Sequence, residues 1–151
     1  YEDYREYGCL FRDGWYLDNN ELKPTIDHEE THGSTGFRLH FNHMIRRKKS
    51  FSKGKLTYRL RTPTSVELRD EFYNQYNSDK WQNELEPLLE ERGITNIGNK
   101  KNHMRKTYDV DQSALPQSYF QTLALAFEEH LPIAEVIDDM VAEAVKNVKS
   151  K

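Results

Sequence analysis

The 151 residues contain a single cysteine, Cys9. No internal disulfide can form, which excludes a disulfide-stapled secreted scaffold. No apolar run approaches the roughly 18 residues that a membrane-spanning helix needs. Seven Gly and five Pro are too few for a collagen-like or low-complexity chain. The chain starts at Tyr1 with acidic and polar residues rather than a basic and then apolar leader. These absences predict an intracellular, cytoplasmic protein with no membrane partner. The missing initiator Met points to a module of a larger protein. Phosphate-cradling glycine loops of Walker or dinucleotide type are also missing, so no nucleotide cofactor is expected.

The rest of the composition is that of a folded domain at the polar edge of the globular range. Hydrophobic residues make up 36%, aromatic 12% and charged 31%, with a mean hydropathy of −0.95. The length suits one domain spanning 1–151. The net charge of −3 conceals strong segregation along the chain. Residues 31–66 hold nine Lys/Arg and no acid, whereas residues 109–143 hold eight acids and no Lys/Arg. A local basic surface sets the field that an anionic partner meets, whatever the net charge.

Hydrophobic spacing predicts an α+β fold, with N-terminal antiparallel strands and hairpins packed against C-terminal amphipathic helices. Asp13-Gly14 between Cys9–Phe11 and Trp15–Leu17 predicts a hairpin, and Asn19-Asn20 a second turn, with Pro24 ending it. Gly36–Ile45 alternates, with Phe37, Leu39 and Phe41 on one side and Arg38, His40 and Asn42 in water. Leu56, Tyr58 and Leu60 repeat the pattern opposite Lys55, Arg59 and Arg61, so the two runs form a hairpin with a cationic outer face. Thr64-Ser65-Val66-Glu67 has capping-box form ahead of Leu68, Phe72 and Tyr76. Asn77-Ser78-Asp79 separates this helix from a second one, which Pro87 should kink or split and Gly93 should end. Strands follow near Ile94–Ile97 and Met104–Val110. Two final helices are expected on either side of Pro132. Their apolar stripes, including Phe120, Phe127, Ile137 and Val141, should cover the hairpin.

Three motifs carry chemistry. His28-Glu29-Glu30-Thr31-His32 spells H-E-x-x-H, which on a helix sets two histidines to hold zinc and a glutamate to activate water. Pro24 upstream, Gly33 directly after it and the lack of an apolar stripe predict a loop here, so no metal is assigned. Glu21-Leu22-Lys23 after Asp13 has the residue types of a hairpin nuclease site, but its spacing is short. Cys9, beside Leu10 and Phe11, reads as a core residue, and His130 as a cation at a helix end.

The third motif is the basic hairpin. Arg46, Arg47, Lys48, Lys49, Phe51 and Lys53 form its tip, and Lys55, Arg59 and Arg61 line its strand. Cations with an interleaved aromatic suit phosphate contacts and base stacking. A second basic run, Lys100–Lys106, would extend the patch if its strand lies alongside. The expected function is a nucleic-acid-binding module for DNA or RNA, without catalytic residues. The alternatives are a protein-interaction or homo-oligomeric assembly domain, and a metal-dependent hydrolase using His28, Glu29 and His32.

Overall fold

A computed structural model describes residues 5–10, 15–18, 23–24, 36–46, 54–62 and 67–150. Five antiparallel strands form the main sheet. They are β1 (Arg5–Leu10), β5 (His40–Arg46), β6 (Lys55–Arg61), β8 (Asn102–Asp109) and β7 (Thr95–Asn96), in the order β1-β5-β6-β8-β7. A small sheet has the order β3-β2-β4, from β2 (Tyr16–Asp18), β3 (Lys23–Pro24) and β4 (Gly36–Arg38). Among the described residues, three α-helices accompany the strands: α1 (Glu67–Tyr76), α2 (Asp79–Arg92) and α3 (Gln117–Lys149). The fold is α+β, as the hydrophobic spacing predicts.

Strand β6 sits at the centre of the sheet, and its pleat decides what each face carries. Leu56, Tyr58 and Leu60 are fully buried, while Thr57, Arg59 and Arg61 between them are only partly covered. Phe41 of β5 pairs with Leu60, and Leu60 in turn with Met104 of β8, so one apolar layer crosses three strands. Helix α3 lies over that layer. His130 packs on Phe41 and Tyr58 at ring-centroid distances of 5.3 and 4.5 Å, and Ile133, Ile137 and Met140 are buried further along the helix. Trp15 is buried beside Phe41 and donates its indole N–H to Asp138 of α3 at 2.7 Å, which fastens the small sheet to the helix.

Helices α1 and α2 close the other flank. Leu68, Phe72 and Tyr76 at i, i+4 and i+8 give α1 one buried stripe. Ser78 caps α2 by accepting from the Trp81 N–H. Gly93 ends α2 in a left-handed conformation at φ 66°, returning its N–H to the last turn. The Tyr76 hydroxyl lies 2.8 Å from the Asn96 side-chain oxygen and 2.9 Å from the His103 carbonyl, and its proton joins α1 to β7 and β8.

Several expectations are corrected. Cys9–Phe11 and Trp15–Leu17 do not form a hairpin, because β1 pairs with β5 while β2 pairs with β3 and β4. The alternating run from Gly36 is two strands rather than one. It breaks at Leu39, whose N–H is taken by the Trp15 carbonyl at 3.0 Å, and its two parts enter different sheets. His40 and Asn42 are buried instead of facing water. Pro24 is the last residue of the edge strand β3, where a missing N–H is tolerated, in keeping with its expected place at the end of that segment.

Neither proline splits its helix. Pro87 lies exposed inside a continuous α2, and α3 runs unbroken through Pro132 as one helix instead of two. Each ring removes one hydrogen bond of the ladder, and the flanking turns keep the register. Phe120 and Phe127 do not cover the hairpin. They are 63% and 46% exposed, whereas Ile137 and Val141 on the same helix are buried. A helix has room for two apolar stripes, and only the one centred on Ala126, His130 and Ile137 meets the sheet.

The two stripes of α3 should separate cleanly under mutation. Ile137→Ala should cost about 2–5 kcal/mol in a urea titration, and Phe120→Ala should stay within about 0.5 kcal/mol of wild type. Equal losses at both positions would show that the first half of α3 is packed like the second.

Candidate nucleic-acid interface

The face of the main sheet opposite α3 is set by register. Asn42 of β5 pairs with Arg59 of β6, and Arg59 with Arg105 of β8, so these three residues stand in one row across the sheet. Arg105 in turn pairs with Thr95 of β7. Arg61 is two residues along β6, opposite His40 on one side and Asn102 on the other, where a bulge shifts the ladder. Thr57 and Thr107 form the next row, and Lys55 with Asp109 the last.

The row of Arg59 is anchored from below. Its Nη2 donates to the Asn42 side-chain oxygen at 3.1 Å, and Asn42 itself is buried. Arg61 is likewise partly covered, and its Nε is buried without a hydrogen-bond acceptor. Arg105 is exposed. The register thus brings two arginines to one row of neighbouring strands.

The cations of the sheet and helices divide into two sets. Lys106 points to the α3 side, where its Nζ donates to Glu129 at 2.6 Å and to the Arg92 carbonyl. Lys80 pairs with Glu143 at 2.9 Å, Lys100 with Asp70 at 3.4 Å, and Lys55 with Asp109. Helix acids therefore neutralise Lys80, Lys100 and Lys106, and a strand acid neutralises Lys55. Among the described residues, none of them meets Arg61 or Arg105.

The basic run Lys100–Lys106 thus reaches the patch only in part. β8 does lie beside β6, so Arg105 joins Arg59 and Arg61, while Lys106 turns to the opposite face and Lys100 pairs with a helix acid. Arg105 is the residue that the sequence singled out least, and its row partner Arg59 is what identifies it. Of the hairpin tip, Arg46 is the last residue of β5, and Arg47, Lys48, Lys49, Phe51 and Lys53 lie outside the described residues. His28, Glu29 and His32 also lie outside them, as do Asp13 and Glu21. Among the described residues, no group of three His, Cys, Asp or Glu side chains is placed to hold a metal ion.

The two buried histidines belong to the core. His130 is 1% exposed in the middle of α3, not a cation at a helix end. Its Nδ1 donates to the Ala126 carbonyl at 2.8 Å, and burial pushes its pKa down to about 4. His103 lies between Phe72 and Tyr76, with Nε2 2.8 Å from the Thr62 hydroxyl. Burial, with the Arg69 charge nearby, takes its pKa down to about 3. Glu129 is pushed up by its own burial, but hydrogen bonds from Lys106 and Tyr108 outweigh this and hold it below the ordinary carboxylate range. The Tyr108 hydroxyl, raised by burial and by Glu129, keeps its proton.

Comparison with family models, with curated proteins and with solved structures returned no match.

Both histidines are neutral when folded and titrate near 6.5 when unfolded, so the unfolded chain binds more protons below that pH. Stability is intact above pH 6.5 and falls as the pH drops from there toward 4. At pH 5 each histidine should cost about 2 kcal/mol relative to pH 8. Urea midpoints measured across that range check this, and a profile flat down to pH 4.5 would contradict it.

Proposed function

We propose that this chain binds nucleic acid through the sheet face opposite α3, with Arg59, Arg61 and Arg105 contacting phosphates. The supporting observation is the row that sets Arg59 directly against Arg105 on two central strands. Two cations in one row raise the positive potential that a phosphate meets at this face. Arg61 is only partly covered and meets no acid among the described residues, so its charge adds to the potential of this face. Arginine suits this task better than lysine because its planar fork presents paired donors to phosphate.

In this reading the basic residues that follow β5 in the sequence act together with these arginines. Arg46, Arg47, Lys48, Lys49 and Lys53 supply further phosphate contacts, and Phe51 supplies a stacking ring for a single strand. Lys55 contributes least, since Asp109 neutralises it. Phosphate contacts position a strand without reading sequence, so affinity should be high for both DNA and RNA relative to base discrimination.

The test is a salt titration of binding to a fluorescent single strand. Removing one cation from a phosphate should flatten the log–log slope by about 0.7. Arg61→Gln with Arg105→Gln should therefore lower it by about 1.4, and Lys55→Gln should leave it nearly unchanged. No binding at low salt, or an equal slope in the double variant, would remove this reading.

A further inference from the structure

The first half of α3 carries an apolar stripe that nothing among the described residues covers. Phe120, Ala124, Phe127 and Leu131 follow one another at i, i+4, i+7 and i+11 along one side of the helix. Phe120, Phe127 and Leu131 are 63%, 46% and 36% exposed. Phe120, Ala124 and Phe127, with Leu123 and Glu128, bound a shallow groove of about 420 Å³ that is open to solvent. Contiguous exposed apolar surface of this kind marks an interaction site.

Charge and size indicate the occupant. No Lys or Arg occurs anywhere in residues 109–143, so the charges that α3 itself sets beside the stripe are acidic. Glu128 lies at the groove and Glu135, two turns further on, is exposed on the same edge. Pro132 brings no N–H to the Glu128 carbonyl four residues before it, which leaves a main-chain acceptor at the same place. A second copy of this chain fits poorly, because pairing two such stripes sets acid against acid. The stripe is also about 17 Å long and one helix wide, well below the roughly 800 Å² per partner that a stable dimer buries.

We propose that this groove docks a short amphipathic helical peptide of a partner protein, with an apolar stripe flanked by Lys or Arg. The peptide's apolar side chains insert between Phe120, Phe127 and Leu131, and its cations meet Glu128, Glu135 and the Glu128 carbonyl. This proposal is independent of nucleic-acid binding, which uses the far side of the sheet.

The probe is a fluorescein-labelled helical peptide with a leucine stripe flanked by lysine, titrated into the full chain and read by anisotropy. A matched peptide with glutamate in place of lysine is the control. The lysine peptide should bind saturably in the micromolar range and the glutamate peptide about tenfold more weakly. Phe127→Glu should abolish binding of the lysine peptide with an unchanged circular dichroism spectrum. Phe120→Glu, at the more exposed ring, serves the same purpose if Phe127→Glu does not fold. Glu128→Lys with Glu135→Lys should reverse the preference between the peptides.

Three results would overturn the proposal. One is no saturable binding of the lysine peptide. Another is equal binding by wild type and Phe127→Glu, which would show attraction to acidic surface alone. The third is a dimer in sedimentation that Phe127→Glu dissociates, which would make a second copy the occupant.

Discussion

Strand β6 is hydrogen-bonded along both edges, to β5 and β8, and this double pairing is the constraint on which the rest depends. A slip of one residue would turn Leu56, Tyr58 and Leu60 away from α3 and bring Lys55, Arg59 and Arg61 beneath it. The register is therefore held by the whole apolar layer from Phe41 to Met104. Holding it also fixes where the charges stand. Lys106 falls within reach of Glu129 on α3, Lys55 stands against Asp109 of β8, and the arginines of the Arg59 row collect on the face that α3 leaves alone.

The segregation of charge along the chain therefore has a mixed outcome in space. Acidic helices meet basic strands at Lys106–Glu129 and basic helix positions at Lys80–Glu143. Neutralisation within the fold accounts for these. It does not account for Arg61 and Arg105, which lie across the sheet from the helices. Both proposed surfaces follow from one cause, since α3 spends its buried stripe on the sheet and leaves a second stripe over.

The central hairpin, the buried stripe of α1 and the stop of α2 at Gly93 were legible in the sequence, because each rests on contacts close along the chain. Three things were not. The partners of β1 and β2 depend on distant strands, and an Asp-Gly pair says only that a turn is favourable. The continuity of α3 through Pro132 depends on packing at Ile133, Ile137 and Trp15–Asp138, which no local signal encodes. The burial of His40, Asn42 and His130 ran against their polarity, and ring contacts or hydrogen bonds such as Arg59 to Asn42 and His130 to Ala126 hold the latter two in place. The basic residues of the site were legible as a charge count. Their grouping into rows required the register, and Arg105 entered only through it.

Helix α3 is 33 residues long, about 50 Å at 1.5 Å per residue, whereas seven-residue β6 spans only about 23 Å. The helix is therefore about twice as long as the central strand that it covers. Its second half is tied to α1 and α2 through Asn147–Glu71 and Lys80–Glu143, while its first half holds fewer buried side chains. One continuous helix should then behave as two units in amide exchange: the amides of the turns before Ala126 open by local fraying, and those from the buried His130 onward only with global unfolding. Uniform protection along all 33 residues would argue against such a division.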